Sequence, residues 1–193
     1  MNGRVWPINA ERKAQWQKGV FAVEFAVVVS VLALMLGFVA SIVAQQAIHG
    51  HLQRLSYSGA SLIKERSKLF QHEPDINERQ ARQLYLLLRS SMARTMAGFD
   101  LNSLGMFLEQ VQFDENDLSR PVQLDFSQGK ECRPARQLIQ NSQLFLKASN
   151  SSAVPLYRVT LCYHTQNWFS TLISSIRDQQ TTLISSSAIM PGR

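Results

Sequence analysis

The chain has 193 residues, 45% of them hydrophobic and 18% charged, with a formal net charge of +6 and a pI near 9.7. That length holds one compact domain of about 100–200 residues plus an anchor, which excludes two folded domains. Residues 1–19 carry Arg4, Arg12, Lys13 and Lys18 against Glu11, half of the net charge. The rest is nearly balanced and has no polyanion-binding stripe, so nucleic acid is not an expected partner.

Residues 20–44, VFAVEFAVVVSVLALMLGFVASIVA, contain one charge, Glu24, and two further polar residues, Ser30 and Ser41. As a helix they reach roughly 37 Å, against a hydrocarbon core about 30 Å thick. A buried core helix is the bland alternative, but apolar residues on every face favour membrane insertion. The run is longer than the ~7–15 residue core of a cleaved secretory signal, and Ile42-Val43-Ala44 is a poor cleavage site. Four Lys/Arg precede it and only Arg54 and Lys64 follow closely, which predicts a cytoplasmic N-terminus and a C-terminal domain beyond a bacterial inner membrane.

Ile48, Leu52, Leu55, Gly59, Leu62, Arg66 and Leu69 recur at spacings of four and three, predicting that the helix continues through residues 45–73 until Pro74. Asp75 followed by Glu78 predicts the start of a second helix, with Leu84, Tyr85, Leu88 and Met92 on its core face and Gly98 as its stop. Leu101, Leu104, Phe107 and Leu108 suggest one more helical turn within 100–110. Strands are expected at VQF from Val111, at 121–126 before a Gln128-Gly129-Lys130 turn, at 143–148, through Tyr157, Val159, Leu161 and Tyr163, and at 181–189. Trp168–Ile176 reads as a short helix and 150–153 as a polar loop. The expected architecture is therefore α+β: a leader (1–19), a transmembrane helix (20–44), a helical extension (45–73), and a domain (74–193) with a second amphipathic helix and a small antiparallel sheet.

Cys132 and Cys162 both fall in the expected periplasmic part, where an oxidising compartment favours a disulfide; two free buried cysteines are the alternative. The spacing of His49 and His51 points them apart, and Cys162 with His164 lacks an activating constellation. Lys130, Arg133 and Arg136 read as a solvated loop, with an acidic partner as the sharper alternative. No G-x-S-x-G, phosphate-loop, H-E-x-x-H or G-x-G-x-x-G motif is present, so no catalytic residue, metal ligand or cofactor is expected.

The informative constellation lies where the basic leader meets the apolar run: Lys18-Gly19, then Val20-Phe21-Ala22-Val23-Glu24-Phe25. A carboxylate at the mouth of a membrane helix costs free energy and calls for compensation. Cutting after Gly19 would create an α-amino group at Val20, about 6 Å of helix rise from Glu24. Glycine followed at the fifth place by glutamate and an aromatic, between a basic leader and an apolar helix, resembles the class III signal of type IV prepilins. It is especially similar to the TadE/TadF pseudopilins of the tight-adherence (Tad, or Flp) pilus system, and to TadF most of all in the size of its C-terminal part. Val20 departs from the Phe or Met common at the first mature position of type IV pilins, with Phe21 one place later.

The resemblance implies a non-enzymatic minor pseudopilin acting in biogenesis of a pilus for surface adherence. A prepilin peptidase would cut between Gly19 and Val20, and Glu24 with Phe25 would serve processing and assembly. The implied partners are the inner membrane, that peptidase, other Tad/Flp pilins and pseudopilins, and the inner-membrane assembly platform. A type II secretion or type IV minor pseudopilin, or an unprocessed signal-anchored periplasmic binding module, are the competing expectations.

Overall fold

A computed structural model describes residues 10–69, 75–113, 121–140, 154–166 and 181–192; side chains within the first helix are described from Gly19 to Glu65. The leader's first nine residues, the strand expected at 143–148, the loop at 150–153 and the helix expected at 168–176 lie outside them. The chain divides into two units, Met1–Val43 and Ala44–Arg193.

Helix α1 spans Ala10–Leu69, beginning before the apolar run and ending a few residues short of the expected boundary. Within it, Gly19–Glu65 includes a stretch of mean hydropathy 2.7, long and apolar enough to cross a membrane. Ser30 donates its hydroxyl to the Ala26 carbonyl at 2.8 Å, so this polar group is satisfied inside the helix and needs no water. In the second unit the buried stripe of α1 runs through Leu52, Ser56, Gly59, Ala60 and Ile63, whereas Leu62 is 46% exposed. The expected seam followed a spacing of 3.5, but an unsupercoiled helix turns every 3.6 residues. Over two heptads it drifts by about 40°, enough to pass the seam from Leu62 to Ile63.

Helix α2 spans Glu78–Thr95. Its N-cap is Asn77, not Asp75: the Asn77 side chain accepts from Gln80 N–H at 3.0 Å, and the Gln80 side chain accepts from Asn77 N–H. Asp75 instead accepts from Gln112 Nε2 at 2.6 Å, and Ile76, buried, donates its N–H to Gln110 Oε1 at 2.9 Å. Two contacts to the sheet thus delay the helix start. Ala81, Leu84, Tyr85, Leu88 and Met92 form the buried face, and Gly98, at φ +73°, lies in the turn beyond the Met96 C-cap.

The helical turn expected within 100–110 is a strand. After a turn at 100–103 the chain forms β1 (Leu104–Phe113), then β2 (Pro121–Gly129), β3 (Leu156–Gln166) and β4 (Thr181–Pro191), in the order β2-β1-β3-β4 with every pair antiparallel. β1 is central and covered on both faces. Its near-continuous run of buried residues therefore shows neither clean alternation nor a helical stripe in sequence.

The near face of the sheet carries Leu104, Met106 and Leu108 of β1 with Tyr157, Val159, Leu161 and Tyr163 of β3, packed against α1 and α2 in one core. Burying each large side chain contributes about 1.5–3 kcal/mol. To reach the other side of β1 from β2, the chain must cross the far face, and residues 130–140 do so, ending in a short 3-10 turn at Leu138–Gln140. Gly129, at φ +79°, begins the turn, and Lys130 N–H donates to the Leu104 carbonyl at 3.0 Å. The crossing passes directly over Gly105, where a Cβ would stand 2.1 Å from the Lys130 carbonyl oxygen and 2.9 Å from Cys132 Cβ. Gly105→Ala is therefore expected to destabilise the C-terminal unit by about 3 kcal/mol, because backbone rather than a flexible side chain blocks the methyl. Denaturant unfolding of the detergent-solubilised full chain measures it; unchanged stability contradicts the close crossing.

The turn before β1 is held by Asp100, whose carboxylate accepts from the Ser103 hydroxyl at 2.6 Å and from Asn102 N–H at 3.0 Å. Those bonds, the Ser103 one first, hold its pKa below the usual 3.8. The folded value lies under the unfolded one, so this stabilisation is complete above pH 3.8 and is lost as pH falls through the folded value. In acid titrations of stability, Asp100→Asn should flatten the fall below that pH relative to the native chain; identical curves contradict the assignment.

Candidate functional site

Two regions carry the residues of interest, one in each unit. In the first, Gly19, Val20, Glu24 and Phe25 all lie on α1 and are exposed, with Phe21 70% exposed. Val20 and Glu24 are four residues apart and share a helix face. From Val20 to Val43 large apolar side chains stand open on every side of the helix, a surface that water would not support at this extent. Lipid or other apolar helices satisfy it. Gly19 lies inside the helix, not in an extended stretch, and a Cβ added there would meet nothing within 4 Å beyond the helix's own backbone.

The second region is the far face of the sheet, which sequence inspection overlooked. Glu109 of β1 and Arg158 of β3 are direct cross-strand partners, both buried, and form an ion pair through Oε2 and Nε. Glu109 Oε1 also accepts from Leu138 N–H at 3.0 Å and from Gln123 Nε2 at 3.2 Å. Gln123 Oε1 accepts from Ile139 N–H at 3.1 Å, and Arg158 Nη2 donates to the Arg136 carbonyl at 2.7 Å. Two charges thus bind the backbone of the crossing segment to three strands. Val111, Leu138 and Leu156 form a small apolar cluster alongside. The available signal was Arg158, a charge between Tyr157 and Val159 in an otherwise apolar strand.

Cys132 and Cys162 are joined, with Cα atoms 5.5 Å apart, pinning the start of the crossing segment to β3. Closing a loop of 30 residues contributes about 3–4 kcal/mol in the chain-entropy model. Cys162 is thereby unavailable as a nucleophile, and the His164 ring nitrogen Nε2 lies 2.9 Å from the Glu131 carbonyl. Lys130, Arg133 and Arg136 are exposed on the crossing segment. Among the described residues no three His, Cys, Asp or Glu side chains gather as metal ligands. The interactions on this face fasten the crossing segment to the sheet.

Among the described residues the chain is therefore α+β, with one apolar helix of membrane-spanning length near its N-terminus and, later in the sequence, a disulfide-bonded four-stranded sheet. A model of the family described as "Putative tight adherence pilin protein F" (TadF) matches residues 13–193, and the chain belongs to that family. This gives it a pilin-like, structural role in the tight-adherence pilus. No curated protein and no solved structure matches the chain.

Replacing Glu109 by Gln or Arg158 by Met is expected to destabilise the C-terminal unit by about 3–5 kcal/mol each, since either change strands a buried charge. The double variant should fall short of the sum by about 0.5–3 kcal/mol, the signature of a direct pair. Urea unfolding of the four full-length proteins reads the cycle; strict additivity contradicts the coupling.

Proposed function

We propose that the chain is a TadF-type minor pseudopilin acting in assembly of a Tad/Flp pilus, held in the bacterial inner membrane with residues 1–19 cytoplasmic and the C-terminal domain periplasmic. One observation carries this reading: an apolar stretch of α1 that begins at Val20, is exposed along most of its length and bears a single carboxylate, Glu24, in a chain of the TadF family. A prepilin peptidase cuts after Gly19. Glycine suits that step because it costs a helix about 1 kcal/mol relative to alanine, so local unwinding there is easier than elsewhere in the run. The cut releases the basic leader and leaves an ammonium at Val20 one helical turn from Glu24.

In a low-dielectric bundle the attraction between that amine and a Glu24 carboxylate, its own or a neighbour's, is far stronger than in water. It sets the register of subunits whose other contacts are apolar packing. The assembly platform then draws subunits from the membrane toward the fibre, while the periplasmic domain meets other pilins and pseudopilins. No step requires bond chemistry by the chain itself.

N-terminal sequencing of the native protein tests the reading, with Gly19→Ala and Glu24→Ala alongside. The native chain should begin at Val20 in cells containing the peptidase and at Met1 in cells lacking it. Gly19→Ala should remain uncut, and Glu24→Ala should fold with its disulfide intact yet fail to restore pili. A native terminus at Met1 in piliated cells overturns the proposal.

A further inference from the structure

Cys162 lies on the far face of β3, with Gly105 of β1 and Ser185 of β4 as its register partners on either side. The near face is filled by the core under α1 and α2, so the sulfur can be approached only from the far face. That approach is where the crossing segment lies. The Lys130 carbonyl stands over Gly105, Cys132 Sγ is 3.8 Å from the Thr160 carbonyl, and the Glu131 carbonyl is 2.9 Å from His164 Nε2. With the segment in place Cys132 is 1% exposed and Cys162 0%. Thiol–disulfide exchange needs a thiolate that can reach a sulfur of the incoming disulfide, so its rate depends on access. In the folded domain neither sulfur offers it, and the segment that closes the approach is the one that carries Cys132.

We infer that the crossing segment is a redox gate: the Cys132–Cys162 bond forms by exchange with a disulfide-bearing oxidant while residues 130–140 stand off the sheet, and their docking then seals it against thiol reductants. The inference rests on the reading that places the C-terminal domain in the periplasm, where such an oxidant is available. When the segment lifts, Cys132 moves into solvent with it, whereas Cys162 stays between the paired main chains of β1 and β4. Cys132 thus meets the oxidant first. Its thiol loses a proton and the thiolate attacks; a bond from Cys132 to one oxidant sulfur forms, and the oxidant's own S–S bond breaks, its second sulfur leaving as a thiolate. Cys162, deprotonated in turn, attacks the Cys132 sulfur. The Cys132–Cys162 bond forms, and the oxidant departs with both sulfurs as thiols, having taken up two electrons and the two protons.

What seats the segment is the polar network further along it. Leu138 N–H and Gln123 Nε2 donate to Glu109 Oε1, Ile139 N–H donates to Gln123 Oε1, and the Arg136 carbonyl accepts from Arg158. None of these bonds involves either sulfur, so weakening one of them alters the gate and leaves the cysteines alone. Gln123 is the suitable handle, a neutral, half-buried side chain whose loss strands no charge.

The test uses the full-length chain in detergent, with glutathione disulfide as oxidant, dithiothreitol as reductant, and free thiols counted by alkylation. The oxidised native chain should be reduced at least about tenfold more slowly than the same chain unfolded in urea. Gln123→Ala should be reduced several-fold faster than the native chain and, once reduced and refolded, also reoxidised several-fold faster. A variant that merely weakened the bond would speed reduction without speeding reoxidation, so acceleration in both directions is the mark of a gate. The native chain in urea below its unfolding transition repeats the comparison without a substitution. In cells, Cys162→Ser should accumulate a mixed disulfide through Cys132, whose mass separates a protein oxidase from a small disulfide, and Cys132→Ser should accumulate far less. Equal reduction rates for folded and unfolded chains, acceleration in one direction only, or adducts through Cys162 alone or through neither cysteine each overturn the inference. A native chain isolated from cells with both thiols free rejects the periplasmic placement, and the inference with it. One that is oxidised and begins at Val20 yet fails the rate comparisons rejects the gate alone.

Discussion

The C-terminal unit depends on the removal of two opposite charges from water, side by side, at the centre of its sheet. Neither Glu109 nor Arg158 is tolerable alone in that position, because an unpaired buried charge costs several kcal/mol. Together they require each other, and the carboxylate and guanidinium groups left over must find further partners. Those partners are Leu138 N–H, Gln123 and the Arg136 carbonyl, so the ion pair dictates where the crossing segment lies. The disulfide closes its beginning and the Val111–Leu138–Leu156 cluster seals its end. Polar and covalent fasteners thereby hold the crossing segment against the far face.

The near face is built on different physics. There the cover is two helices, and the adhesive is apolar contact of Leu52, Leu88, Met92 and Tyr85 with alternating residues of β1 and β3. Polar side chains set position, not bulk stability: Gln110 receives the Ile76 N–H ahead of α2, and the Tyr85 hydroxyl donates to the Leu104 carbonyl at 3.2 Å. A single helix contributes to both units of the molecule. Its second part is amphipathic because it has a sheet to lie against, and its first part is apolar on every side apart from Glu24, Ser30 and Ser41, as fits a single-pass membrane helix.

Function follows from this division of labour. Under the proposed reading, a membrane-held subunit that meets other pilins needs a helix whose outer surface accepts lipid and protein alike, and a head group that stays folded. Apolar packing supplies the first property without directional bonds. The buried pair and the disulfide supply the second, since both resist local opening in a domain of modest size.

The sequence by itself determined the features governed by composition and local period. The apolar run of residues 20–44, the Gly19–Glu24 spacing, the amphipathic face of α2, the alternation of β3 and the uncharged last strand were all legible, because each is a pattern within a few neighbouring residues. What only the tertiary structure decided depends on residues distant in the chain. β1 reads as helix or strand until β2 and β3 pair with it on both sides. Asn77 displaces Asp75 as the cap because Gln112 and Gln110 on that strand occupy what precedes it. Glu109 and Arg158, 49 positions apart, look like ordinary surface charges until the register sets them opposite one another beneath the crossing segment. Local propensity cannot encode such a meeting, since its free energy arises only when both groups leave water together.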